Sequence, residues 1–299
     1  MEQLIQSWRI IMSVSWINLL SAAFTGGLVV KLLDIAYLEY KRKSSMSRSA
    51  KELLNIHLDP ILKSADELLS KLISLAKEDF KPLYENNESD VQLRSQQVKV
   101  VYVLYLFAHF WSRLAILRKE SIHENLVAHK EGEILLKFIA TLESKRSRIV
   151  NRALQRGIGE SIVEDKDGVL KPKTFYNFFE EYSKYSTSIR KWCEPLEEKL
   201  INTSNKNIRQ QVLLYGVIVH ALVDTLDSEH KYFRDKPSYP NKLKESTRRD
   251  LRYRIFGKYL PMIKNSRKYW HVQMETARAV TDQKDRKPFG RFFSTLINI

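Results

Sequence analysis

The sequence predicts an all-α protein: a helical bundle of roughly eight helices with one minor β-hairpin, preceded by an N-terminal transmembrane helix. Three observations carry this expectation. Apolar residues recur at the 3.6-residue period along most of the chain. Only nine Gly and eight Pro occur in 299 residues, too few for a turn-dense β-sandwich or barrel. Residues 10–30 hold no charge and 14 apolar side chains in 21 positions. At about 1.5 Å per residue, a helix of that length crosses the roughly 30 Å hydrocarbon layer of a bilayer.

The span comes first. Glu2 and Arg9 precede it, whereas Lys31, Lys41, Arg42, Lys43, Arg48 and Lys51 follow it. Positive residues stay on the cytoplasmic side, so the N-terminus is expected outside and the body inside, in a single-pass inner-membrane protein. A cleavable signal peptide ending at Ala22-Ala23 and a buried core helix are the competing readings. Glu2 before the apolar run, and Leu28, Val29 and Val30 after Ala23, argue against cleavage. Ala22 with Gly26, and Ala23 with Gly27, form small-xxx-small pairs that would let two membrane helices approach closely in a homo-oligomer; ordinary small-residue content of a membrane helix is the competing reading. The chain then divides into an anchor with a basic juxtamembrane segment (1–43), a cytoplasmic helical domain (44–281) and a basic, aromatic tail (282–299).

The body follows. Ser49 and Glu52 make a capping box, and Asp59-Pro60 reads as a fresh helix start. An apolar stripe from Ile61 to Phe80 calls for burial against other helices. Residues 81–92 are polar and read as a loop. A long helix is expected over 93–119; its uncharged centre, 100–112, is too short for a bilayer and suits a core. A helix over 134–155 comes next, then a hairpin turning at Asp167-Gly168. Thr174 caps a helix over 175–185, and Pro195 breaks the one after it. The strongly apolar 208–226 should be central. A basic helix over 247–259 and a last helix over 269–281 complete the set.

Charge is strongly uneven. Lys and Arg number 50 against 35 Asp and Glu, a net +15. The segments 144–156, 242–258 and 264–291 carry five net positive charges each, so the remainder is neutral. Aromatic residues are interleaved in the last two. This predicts a basic surface for an anionic partner, either anionic lipid or nucleic acid. The residues that would carry it are Arg146, Arg148 and Arg152 in the first segment, with Arg248, Arg249, Arg252 and Lys258 in the second. A solvated helix face with its aromatics packed inward is the competing reading. One cysteine, Cys193, excludes a disulfide framework and reads as a small core residue.

Two constellations could carry chemistry. His220, Asp224 and Asp227 stand at i, i+4 and i+7 of one helix, sharing a face that could bind a divalent metal and activate water for phosphoester hydrolysis. A hydrogen-bonded core histidine is the plainer reading. Arg118-Lys-Glu-Ser-Ile-His123 has R-x4-H spacing. That spacing resembles the signature of HEPN-family RNases, all-helical proteins in which a paired Arg and His cleave RNA without metal. The resemblance implies phosphate holding by Arg118 and proton transfer by His123. Phosphate-binding loops, dinucleotide fingerprints, H-E-x-x-H and G-x-S-x-G are absent from the sequence. In layout the chain is similar to single-pass bacterial membrane proteins, some of which accompany antiviral defence systems. The expected role is association with an anionic partner, without a cofactor; the enzyme alternatives are a membrane-tethered RNase or a metal-dependent phosphoesterase.

Overall fold

The structure is a computed structural model that describes residues 28–85, 90–121, 126–184 and 186–272. Ala22, Ala23, Gly26 and Gly27, His123, and the tail 282–299 lie outside the described residues, as does the predicted span up to residue 27.

The first described element, α1 (Leu28–Lys77), is one 50-residue helix. It passes through both starts read from the sequence, Ser49 and Asp59-Pro60. Pro60 lies inside it and contributes no N–H. The helix continues because Leu54, Ile61, Ala65, Leu68, Leu69 and Leu72 keep one buried stripe on both sides of the proline, and tertiary burial outweighs one missing hydrogen bond. Among the described residues Ala50 is the first buried one; residues 31–45 are all exposed. The boundary expected at 43/44 therefore falls within a continuous helix. α1 ends where Asp79 and Phe80 take left-handed backbone angles (φ 51° and 64°), and the Phe80 N–H reaches back to the Leu75 carbonyl.

The segment read as a loop contains a one-turn helix, α2 (Lys81–Tyr84), set by the buried Leu83. The long helix α3 (Asp90–Glu120) follows. Within it, Gln96–Glu120 is the one stretch among the described residues long and apolar enough to cross a membrane, and it is largely buried in the protein. It is the core helix that its short uncharged centre predicts. The helix expected over 134–155 divides into α4 (Lys130–Leu142) and α5 (Arg152–Ser161). Ser147 Oγ donates to the Thr141 carbonyl, competing with the backbone ladder, and the Asn151 side chain caps α5 by accepting from Leu154 N–H.

The hairpin pairs β1 (Val163–Lys166) with β2 (Val169–Pro172), Asp165 opposite Leu170. Asp167 and Gly168 both have positive φ, the type I′ turn that matches strand twist. Thr174 caps α6 (Phe175–Tyr182) as its position predicts. α7 (Ser188–Ile201) holds Pro195 in its interior, so the expected break is absent; Ile189, Cys193, Leu196 and Leu200 form a buried stripe across it. α8 (Lys206–Leu226) is the central apolar helix, buried continuously from Val212 to Val223. α9 (Glu245–Arg249) runs into a π-helical segment, Asp250–Tyr259, and α10 (Arg267–Trp270) is the last described helix.

The packed half of α1, together with α3 and α8, makes the centre, and α5 lies on α3. That last contact is backbone-close. A Cβ on Gly159 would sit 2.7 Å from the carbonyl carbon and oxygen of Trp111. Gly159→Ala is therefore expected to force α3 and α5 apart and to cost about 1–3 kcal/mol. Urea unfolding should show a lower midpoint at unchanged slope.

Candidate functional site

The basic segments of the sequence assemble in two places. The first is a carboxylate cluster between α3, α4 and α5. Glu143, just past α4, is 5% exposed. Its Oε2 accepts from Arg152 Nε and Arg156 Nη2, both at 2.8 Å, and Oε1 accepts from Arg156 Nε at 3.2 Å and from Arg118 Nη2. Burial pushes the Glu143 carboxyl upward. The Arg156 hydrogen bonds and the charges of Arg118, Arg156 and Arg152 outweigh it, so its pKa lies below the ordinary value. Arg118 is thus committed to an internal ion pair, and the second partner of the R-x4-H pattern, His123, lies outside the described residues. Arg146 and Arg148 stand in the α4–α5 connection, so with Arg152 they do not share one helix face.

The second place is a groove on the surface formed by α9, the π segment and α10. One part, about 300 Å³, is lined by Arg248, Arg249, Arg252 and Tyr253 from one side and Trp270 and His271 from the other. A neighbouring part, about 840 Å³, shares His271 and Val272 and adds Lys264, Arg267 and Lys268. Six cations thus line the groove with one lining carboxylate, Glu245; one of the six, Lys268, is paired with Asp224 beneath it. Glu245 is spent on Arg248, with contacts of 2.6 and 3.1 Å. Arg252 stacks over Tyr253 at 4.7 Å and over Trp270 at 5.0 Å, which orders its guanidinium without neutralising it. Arg249 has no ion pair among the described residues. Leu251, Ile255 and Phe256 anchor the inner side of the π segment, as the sequence pattern of Leu251 and Ile255 requires. Lys258 is exposed but does not line the groove.

Beneath the groove lies the His220 cluster. His220 is 1% exposed, and neither ring nitrogen has a hydrogen-bond partner among the described residues. Burial holds its pKa below the usual histidine value, so the ring is neutral. Asp224 Oδ2 is 3.5 Å from His220 Nε2 and accepts from Tyr269 Oη and Lys268 Nζ, each at 2.6 Å. Burial, reinforced by Asp224, pushes the Tyr269 phenol well above its ordinary value. Asp227, expected as the third member, turns away. Its carboxylate accepts the backbone N–H groups of Lys231, Tyr232 and Phe233, closing the loop after α8. That loop returns Asp235 instead, and single ligand atoms of His220, Asp224 and Asp235 lie within 4.8 Å of one another.

Comparison with protein families, curated proteins and solved structures finds no match for this chain.

The groove residues absent from the sequence reading as site members are Trp270, His271, Lys264, Arg267 and Lys268. Their segment was marked by its charge and aromatics. Asp235 carried no pattern that could have joined it to His220. Cys193 is buried in α7, where burial and then Glu197 push its thiol up to about 12, so it is an inert core group.

Proposed function

We propose that this protein is a membrane-tethered helical protein whose basic groove holds a phosphate-bearing chain, a nucleic acid in preference to the bilayer, and that it acts by association. The observation that carries the proposal is the groove itself: six lining cations, of which only Arg248 and Lys268 pair with carboxylates, with an arginine stacked between two aromatic rings. Guanidinium groups bind phosphate oxygens bidentately, and exposed aromatic faces such as Tyr253, 60% exposed, accept stacked bases.

The tether rests on the free half of α1. Leu32, Leu33, Ile35, Tyr37, Leu38 and Tyr40 are 59–74% exposed, directly after the uncharged run. So much exposed apolar surface on one helical stretch calls for lipid or another helix around it. The same helix argues against the bilayer as ligand of the groove. From Lys31 to Ala50, the first buried residue among those described, it rises about 28 Å. Lys236, two residues before the groove residue Ser238, pairs with Asp66 in the packed half. That separation is several times the roughly 8 Å screening length of physiological salt.

The test uses the full chain in neutral detergent. A labelled single-stranded oligonucleotide should bind and weaken steeply between 50 and about 200 mM salt. The native protein should sediment with membranes and resist alkaline extraction. A freely soluble full-length chain would remove the tether. Binding to anionic vesicles but not to the oligonucleotide would reverse the choice of partner.

A further inference from the structure

We infer that His220, Asp224 and Asp235 form a binding site for a divalent transition-metal ion of the zinc class, held closed in this conformation by the Lys268 ammonium. The inference stands on the His220 cluster alone and does not depend on the groove's ligand.

Three observations point the same way. His220 is a fully buried imidazole with both nitrogens unsatisfied among the described residues, a costly arrangement unless something binds there. It is aimed at two carboxylates that come from different elements, Asp224 on α8 and Asp235 on the following loop. Finally, a cation already occupies the carboxylate. Lys268 Nζ sits 2.6 Å from Asp224 Oδ2, while its side chain is 43% exposed and can swing to water. Tyr269 Oη shares the same oxygen, and Oδ1 receives no hydrogen bond among the described residues.

The chemistry selects the ion. One neutral imidazole and two carboxylates suit zinc or manganese, whereas magnesium and calcium prefer oxygen alone. Bound ligand atoms around zinc stand about 3.4 Å apart, from bond lengths near 2.1 Å and tetrahedral angles. The present spacing of up to 4.8 Å must close. Asp235 can close it, because its side chain is 68% exposed on the loop that Asp227 pins. His230 stands behind Asp235, Nε2 to Oδ1 at 3.9 Å, at a left-handed backbone position (φ 49°) with a buried, unpaired Nδ1.

The test is titration of the metal-stripped full chain with Zn²⁺ alone, read by calorimetry and by chelator competition. One equivalent should bind. Asp235→Asn, on an exposed loop that leaves the core untouched, should weaken binding at least about 10-fold, and His220→Ala more. Lys268→Gln should tighten it about 10-fold by removing the competing charge. Asp227→Asn should lower thermal stability and leave the Zn²⁺ affinity within about 2-fold, well below the loss expected for a ligand. Absence of binding in both the native chain and Lys268→Gln overturns the site. So does an affinity that ignores Asp235→Asn and Lys268→Gln together.

Discussion

Glu143→Ala is expected to lower the unfolding free energy by about 3 kcal/mol, near the low end for breaking a buried ion pair. Glu143 satisfies three arginines at once, but they do not lose equally. Arg152 and Arg156 have side chains 58% and 37% exposed and can turn to water. Arg118 is 16% exposed and is left as an uncompensated charge in the last turn of α3. A loss of that size corresponds to roughly 6–12 °C in Tm for a domain of this length. The pH dependence identifies the cause. The folded Glu143 pKa is depressed, so its contribution is complete above the ordinary carboxyl range and is lost as pH falls through that range toward the lowered folded value. Glu143→Gln removes the charge and keeps the shape. The stability difference between native and Gln protein should be largest at pH 7 and shrink below about pH 4.5, where the unfolded carboxyl protonates. A difference that stays constant from pH 7 to pH 3 contradicts the ion-pair account.

The second large effect belongs to the groove. Arg249→Gln, Arg252→Gln and Arg267→Gln together should leave thermal stability nearly unchanged and weaken oligonucleotide binding by more than 10-fold at low salt. None of the three is in an ion pair with a carboxylate among the described residues, so the loss falls on the ligand. Each phosphate contact on a single strand contributes about 0.7 to the slope of log K against log salt, so the triple variant should be shallower by about 2. A matched control changes Arg146, Arg148 and Lys258 to Gln, all outside the groove, and should retain the native slope. Equal loss in both triples would mean that net charge acts without a site.

Much of the fold was readable because it rests on burial periodicity. The apolar stripes from Ile61 to Phe80, over 100–112 and over 208–226 do lie in the core. Thr174 and Asp167-Gly168 are local signals with local mechanisms, and both hold. Two of the failures share one cause. Asp59-Pro60 looks like a helix start and Pro195 like a break, but each proline lies within a buried stripe, and burial prevailed over the local rule. The expected helix over 134–155 failed in the opposite sense. Its break is made by serine hydroxyls and by Glu143 gathering arginines from α3 and α5, contacts that span up to 25 positions. The site was legible in charge and not in geometry. The arginines of 248–252 could be named, but their partners across the groove come from α10. Asp227 and Asp235 illustrate the same limit, since i+7 spacing assigned the carboxylate that a loop later claimed for its own amides.

One helix is both neck and spine. The backbone that leaves the globule at Ala50 carries on, unjointed, to Leu28, while the same backbone inward supplies part of the central packing. A tilt or twist imposed at the far end therefore cannot be absorbed by a flexible tether; it arrives as torque on Leu54, Ile61 and their neighbours. Orientation of the globule is in this way geared to whatever grips the opposite tip.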